Sequence, residues 1–385
     1  MKQDYPYCVA FNKIQGLGPI KIYAIFQYFS SFENAWKANI NDFRDIKNIS
    51  ENNLKDILKA KKEIDPDKEY TLIEKNNVKI VTLHDEEYPS LLKKIHDPPF
   101  IIFYKGIWDK NIFDKCVGVV GTRTPSFYGK KTALKLGYEL SMYNVTVVSG
   151  MALGIDTEVH KGALQCNKGK TIAVLGCSPD LIYPYSNKKL YEEICEKGLV
   201  ISEYPPETQP DIWRFPARNR IISGLSKGVL LIEAGNKSGA LITTDFALEQ
   251  GREVMAIPGD IFNKMSIGAN NLIKQGAEII TSVDDIINHL GWNIEYIEKK
   301  SEPLKTATKP KNKKEEYNKG IEINNLDLNN YEKELYLILE DTQPIHLDDI
   351  VKKTELNLAD ISSNLIMLEL KGLIKQMSGK LFVRT

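Results

Sequence analysis

The strongest constraint in this chain is a series of short, almost wholly apolar segments between residues 111 and 292, each followed by a glycine-rich turn or a helix-patterned stretch. The apolar segments fall at 117–120, 145–148, 171–175, 199–201, 229–232 and 254–257. Helical patterns fill 125–143, the stretch from Gly154 to about Gln165, 188–196 and 239–250. Strands that read as continuous apolar runs are buried on both faces, and strands alternating with helices build a parallel sheet covered on both sides. The pattern predicts an α/β fold with a central doubly wound, Rossmann-like parallel sheet. In such a sheet ligands sit beyond the carboxyl ends of the strands, where the strand order reverses.

Texture divides the rest of the 385 residues. Residues 1–110 are helix-patterned and rich in Lys, Asn and Asp, and read as a helical domain of helix-hairpin-helix or SAM-like type. Residues 111–292 are the Rossmann-like domain. Residues 293–325 have almost no apolar content and read as a flexible linker, because they cannot bury enough surface to offset the entropy of ordering. Residues 326–385 return to apolar periodicity, with helices at 335–339, 347–351 and 358–370 and a small hairpin across Ser378-Gly379. Three helices and a wing predict a winged-helix-like domain.

Lys plus Arg and Asp plus Glu both number 51, so the formal charge is zero. That excludes a wholesale basic coat for nucleic acid and a polybasic membrane patch, but not a local basic groove. The five cysteines contain no C-x-x-C pair, which argues against a zinc knuckle or a disulfide framework and for a reducing compartment. No stretch approaches the ~20 apolar residues of a membrane span, and the first residues do not read as a signal peptide. A cytoplasmic protein is expected.

The two ends each support two readings. Gly16-Leu17-Gly18-Pro19 opens an apolar helix, and its backbone N–H groups could face a phosphate; a tight turn packing a small bundle accounts for the same residues. In the last sixty residues the third helix could enter duplex DNA. Yet residues 357–364 carry no Lys or Arg and the segment is net acidic, which favours a protein-interaction or regulatory role.

Chemistry should appear on the rim of the sheet. Gly121-Thr122-Arg123 follows the first strand, Ser149-Gly150 the second, Gly176-Cys177 the third, and Gly235 to Gly239, including Ser238, a later one. Glycines admit close backbone approach, and a helix N-terminus behind them favours an anion. The dinucleotide fingerprint and the Walker A loop are both missing. Asp156 and His160 lie one helical turn apart and read as an acid–base pair or as a structural hydrogen bond. With five histidines and no H-x-x-x-H pair, no metal site is expected. The stretch from Trp213 to Arg220 gathers Arg214, Phe215, Arg218, Asn219 and Arg220 just before an apolar helix at 221–225. Arginine forks grip phosphates and aromatic faces stack bases; arginines paired with Glu203, Glu233 or Asp211 are the alternative.

These motifs resemble the DNA-processing protein A family (DprA, also called Smf) over essentially the whole chain. The matching residues include Val119-Val120-Gly121-Thr122-Arg123, Val148 to Asp156 with His160, Tyr183-Pro184, Ile201 to Pro206, Phe215 to Ile222, Ser238 to Thr244 and Ile257-Pro258-Gly259. The resemblance implies binding of single-stranded DNA without base preference, loading of a RecA-type recombinase during natural transformation and recombination, protection of incoming DNA, and a homodimer formed through the Rossmann-like domain. It places Arg123 and the segment Phe215, Arg218, Asn219 and Arg220 in the DNA groove, with Lys188 a further candidate. Leu153 stands where the family often has a basic residue, which removes one phosphate contact.

The expected site therefore comprises Gly121, Thr122, Arg123, Ser149, Gly150, Lys188, Arg214, Phe215, Arg218, Asn219, Arg220, Ser238 and Gly239, with no catalytic residue, metal or cofactor. Arg123, Arg218 and Arg220 would neutralise phosphates, Phe215 would support a base, and Gly150, Ser238 and Gly239 would offer backbone donors. The alternative from another class is a nucleotide-processing enzyme of phosphoribohydrolase type using the 235–244 turn; the Gly-Gly phosphate loop and catalytic Arg/Glu set it needs are not found. A dimeric scaffold with a vestigial DNA site is a third reading.

Overall fold

The computed structural model describes residues 4–167, 169–293, 328–339, 344–354, 356–377 and 379–384. The chain divides into two compact units, Met1–Glu298 and Lys299–Thr385. The expected linker lies almost wholly outside the described residues.

The first unit opens with helices α1 (Tyr5–Asn12), α2 (Pro19–Phe29), α3 (Phe32–Lys37), α4 (Glu51–Glu63) and α5 (Pro66–Lys75). Their starts follow local chemistry. Ser31, Ser50 and Asp65 each accept a backbone N–H of the following turn, and Pro19 and Pro66 occupy first-turn positions whose N–H would be unpaired anyway.

A sheet of nine strands follows: β1 (Lys79–Thr82), β2 (Ile101–Gly106), β3 (Cys116–Val120), β4 (Thr146–Ser149), β5 (Thr171–Val174), β6 (Leu199–Ser202), β7 (Gly228–Leu231), β8 (Glu253–Ala256) and β9 (Glu278–Ile279). Their order is β1-β2-β6-β5-β4-β3-β7-β8-β9. From β6 across to β9 all pairs are parallel. The expected doubly wound architecture is therefore present.

One feature of the first 110 residues differs from the helical reading. β1 and β2 lie within them and join the sheet antiparallel beside β6, with Phe103 opposite Ser202. The cause is local: Ile101, Ile102 and Phe103 form a fully buried apolar run with no helical period.

Helices α6 (Phe127–Met142), α7 (Ile155–Gln165) and α12 (Val283–His289) cover one face of the sheet, where Val117, Val119 and Leu230 meet Leu136, Val159 and Ile286. α8 (Lys188–Lys197) packs on the same side over β5 and β6 through Ile194 and Leu190. α9 (Arg214–Leu225), α10 (Ala240–Glu249) and α11 (Ile267–Lys274) cover the opposite face. There Val120, Ile222, Leu231 and Ala247 belong to an apolar core that continues into the first helices through Phe11, Ile25 and Phe100. The strand order reverses between β3 and β7, so the turns after these two strands diverge and leave a crevice.

The second unit holds α13 (Asn330–Ile338), β10 (Ile345–His346), α14 (Leu347–Lys353), α15 (Leu358–Leu370), β11 (Ile374–Met377) and β12 (Leu381–Arg384), with a sheet in the order β10-β12-β11. Leu335, Ile350, Ile361, Leu365, Leu368 and Phe382 form its core. This is a winged helix, as expected. No described helix is long and apolar enough to cross a membrane.

Candidate functional site

A cleft of about 500 Å³ opens at the point of strand reversal. Gly121, Thr122 and Arg123 come to it from the end of β3, Asn219 and Phe215 from α9, and Ser238 and Gly239 from the turn into α10. These residues are separated by up to 118 positions in the chain (239 minus 121), and the fold brings them to one rim. The Thr122 N–H donates to the Glu233 carbonyl across 2.7 Å, which ties the β3 and β7 turns together.

At the mouth of the cleft three side chains stack. The Arg123 guanidinium carbon lies 5.8 Å from the Phe215 ring centre. Phe215 lies 5.4 Å from Tyr183 with the rings 25° apart. Arg123 is exposed, and Tyr183 keeps 43% of its surface in solvent. A cation beside an aromatic platform is suited to a phosphate and its neighbouring base. Gly176 is needed beneath it, because a Cβ there would come within 2.8 Å of Phe215 Cδ1.

On the opposite wall Gly239 precedes α10; Ser238 takes up its first donors, accepting the Ala240 N–H on its hydroxyl (3.3 Å) and the Leu241 N–H on its carbonyl (3.1 Å), and the positive end of the helix dipole faces the cleft. The Asn219 side-chain amide holds the turn through the Gly239 carbonyl at 3.4 Å. Lys237 stands exposed on the same turn.

Beneath the cleft the polar groups face each other rather than a ligand. Arg218 is 5% exposed, and its guanidinium donates to the carbonyls of Gly150 (2.7 Å) and Val174. Burial lowers its pKa, against the opposing pull of Asp156. Asp156 accepts the N–H groups of Gly150 (3.1 Å) and Ala152 (3.3 Å). Burial raises its pKa, with Arg218 opposing. The Ser149 hydroxyl donates to the Val119 carbonyl at 2.6 Å. Ser149, Gly150 and Arg218 thus brace the loop after β4, and the expected donation from the Gly150 N–H to a ligand is replaced by its bond to Asp156. The loop includes Met151 at φ 61°, a strained position for a residue with a side chain.

Arg214 and Arg220 are not at this cleft. α9 begins at Arg214, not at residue 221, so the arginine stretch is itself helical and its side chains spread around the axis. Phe215, Arg218, Asn219 and Ile222 follow a helical i, i+3, i+4, i+7 spacing toward the cleft; Arg214, Ala217 and Arg220 line a second cleft behind it. Arg220 is buried between Asp97 (3.0 Å) and Glu203, which is the structural pairing weighed as the alternative. Burial depresses the Arg220 pKa, but Glu203 and Asp97 outweigh it and the net change is upward. Lys188 is exposed near Tyr185, 5.9 Å from its ring, and stands outside the set that lines the cleft.

Asp156 and His160 do not form an acid–base pair. His160 Nδ1 meets the Thr171 hydroxyl at 2.7 Å, and that hydroxyl donates to the Val147 carbonyl. The imidazole is neutral with its proton on Nδ1; burial, aided by Arg218, drives its pKa down to about 3. Among the described residues no cluster of His, Cys, Asp and Glu is suited to a metal.

The comparisons with known proteins converge on this architecture. The family described as DNA recombination-mediator protein A matches residues 79–291. A protein named Smf from Synechocystis sp. is 34% identical over 99% of both chains. The chain belongs to the DprA/Smf family. The DprA winged helix domain matches residues 327–380. The DNA processing protein DprA of Streptococcus pneumoniae is 48% identical over 53% of this chain and 71% of its own length. A solved DprA structure from that species superposes with a TM-score of 0.66 at 37% identity, covering 76% of this chain and 98% of the other. A DNA processing protein A structure from Helicobacter pylori, whose study concerns its single-stranded DNA binding mode, gives a TM-score of 0.50 at 32% identity over 56% of this chain and 97% of that one.

Within this DprA/Smf chain, sequence reasoning left Tyr183 and Ile212, which line the cleft, out of the site. Tyr183-Pro184 stood among the family motifs, but nothing in its spacing announces that it stacks on Phe215, 32 residues away (215 minus 183).

Proposed function

We propose that the cleft between the β3 and β7 turns binds single-stranded DNA without base preference, and that the chain acts as a recombination mediator. The observation that carries this reading is the Arg123–Phe215–Tyr183 stack at the cleft mouth, facing the N-terminal end of α10. A stacking face accepts any base, and an exposed cation opposite the positive end of a helix dipole accepts any phosphate. Membership of the DprA/Smf family supports it. Of the expected groove residues, Gly121, Thr122, Arg123, Phe215, Asn219, Ser238 and Gly239 would meet DNA, while Arg218 would hold the floor.

The finer reading is that the protein protects incoming DNA and loads a RecA-type recombinase on it, as a cytoplasmic homodimer joined through the Rossmann-like unit and without turnover of DNA. The winged helix would serve protein contact rather than duplex binding, since α15 carries no Lys or Arg and exposes Leu358, Ile366, Met367 and Leu370.

The test is a fluorescence-anisotropy titration with oligo-dT at two salt concentrations, followed by RecA filament assembly on strands coated with single-strand binding protein. Salt-dependent binding and faster assembly are expected. Absence of oligo-dT binding at low salt would overturn the DNA reading; binding without faster assembly would overturn the loading.

A further inference from the structure

The second cleft, on the far side of α9, has a volume of about 690 Å³. Its walls are the N-terminal hairpin from Asn12 to Pro19, the β6 extension Glu203-Tyr204-Pro205, and the α9 residues Arg214, Ala217 and Arg220. Nothing in the reading above uses it. We propose that this cleft is a second single-stranded DNA subsite, taking the part of the strand that leaves the first cleft across the N-terminal end of α9. The proposal rests on the assignment of the first cleft to DNA.

Polar groups here lack partners. Asn12 Oδ1, Tyr204 Oη, Arg214 Nε and Arg220 Nη1 are all buried without a hydrogen bond, and all four residues line this cleft. A buried polar group without a partner is costly, and such groups in native proteins call for an explanation. Arg220 is 5% exposed and already holds Asp97 and Glu203 through its other nitrogens, so its remaining N–H is the surplus. Seating a ligand that reaches these atoms requires the hairpin and α9 to separate slightly.

The wall chemistry matches a nucleotide strand. Trp213 is 58% exposed, and the Arg214 guanidinium carbon lies 5.0 Å from its ring and 5.1 Å from that of Tyr204. Among the described residues no carboxylate pairs with Arg214, which donates to the Gln209 carbonyl and keeps its charge for a phosphate, while Arg220 offsets one of the two carboxylate charges of Asp97 and Glu203. On the hairpin side, Gly18 precedes α2 without a side-chain cap, and Lys21 Nζ rests on the Gly16 carbonyl at 2.8 Å. An exposed aromatic ring beside a cation without a carboxylate partner repeats the composition of the first cleft. The two approach each other at the start of α9: Ile212 lines the first and Trp213, its neighbour in sequence, lines the second.

A length series tests the proposal on the full chain. An oligo-dT of about 6 nucleotides should fill one cleft and one of about 20 should reach both. Trp213→Ala and Arg214→Ala should weaken the longer oligonucleotide at least about five-fold, on the scale of one lost stacking contact, and leave the shorter unchanged. Arg123→Ala should weaken both. Unchanged binding of the longer strand in the Trp213 and Arg214 variants, with Arg123→Ala still impaired, overturns the second subsite alone. If Arg123→Ala binds both as tightly as the parent, the reading of the first cleft fails instead. Photocrosslinking with iododeoxyuridine in the unmodified protein covers the case of a variant that misfolds. Adducts at Trp213 or Tyr204 with the longer strand are expected; adducts confined to Phe215 and Tyr183 overturn the proposal.

Discussion

Asp156 and Arg218 grip the same residue through the peptides on its two sides: Asp156 accepts the Gly150 N–H at 3.1 Å, and Arg218 donates to the Gly150 carbonyl at 2.7 Å. Both side chains are buried, and a Cβ on Gly150 would lie 2.5 Å from Arg218 Nη2 and 2.8 Å from Asp156 Oδ2. The loop after β4 is therefore clamped by charge, and only glycine fits the clamp.

This separates two arginines that look alike in the sequence. Arg218→Met removes one partner of a buried pair and should cost about 3 kcal/mol or more of folding stability. Arg123→Ala, at an exposed position, should leave stability within about 0.5 kcal/mol and lower the slope of log affinity against log salt by about 0.7. Urea melts and a salt series on oligo-dT check both. An Arg218 variant of full stability would remove the clamp.

The aromatic stack should be separable from the fold. Tyr183→Ala should lose about 1 kcal/mol of binding with little change in melting temperature, because the ring is half exposed. Anisotropy and a thermal melt on the same preparation suffice, and equal affinity would show that Tyr183 supports no base.

Gly176→Ala attacks the same platform from below. Its Cβ would meet Phe215 Cδ1 at 2.8 Å, so the ring must shift from its stacked position against Tyr183. Binding should weaken for every base composition to a similar degree. A loss confined to one base in homopolymer titrations would contradict a platform indifferent to sequence.

Acid sensitivity follows from His160. Its folded pKa of about 3 lies below the ordinary 6.5, so the unfolded chain takes up a proton first as pH falls. Stability from this residue is complete above pH 6.5 and declines by up to about 1.4 kcal/mol per pH unit between 6.5 and 3. His160→Asn can still donate toward Thr171 and has no proton to gain. Its melting temperature should fall less steeply than the parent's between pH 7 and pH 5; parallel curves would place the acid sensitivity elsewhere.

The doubly wound sheet was legible because strands buried on both faces must be apolar throughout, and few other structures demand that pattern. β1 and β2 were hidden in a segment dominated by helical texture, although Ile101 to Phe103 carried a strand signal. The rim turns were legible through their glycines. The division of the arginine stretch was not, because it depends on where α9 starts. Pro216 sits in the first turn of the helix, where its missing N–H costs nothing. Moving the start to Arg214 sends Phe215 and Asn219 to one side and Arg214 and Arg220 to the other. Glu203 stood among the candidate partners of the arginines, but Asp97, the second carboxylate on Arg220, comes from a distant element that no spacing reveals.

α9 is a party wall between two clefts. Arg218 fixes one side of it to the Gly150 and Val174 carbonyls, and Arg220 fixes the other to Asp97 and Glu203, so a substitution on this helix is seldom private to one cleft. If filling the first cleft changes the affinity of the second by some factor, filling the second returns that same factor to the first.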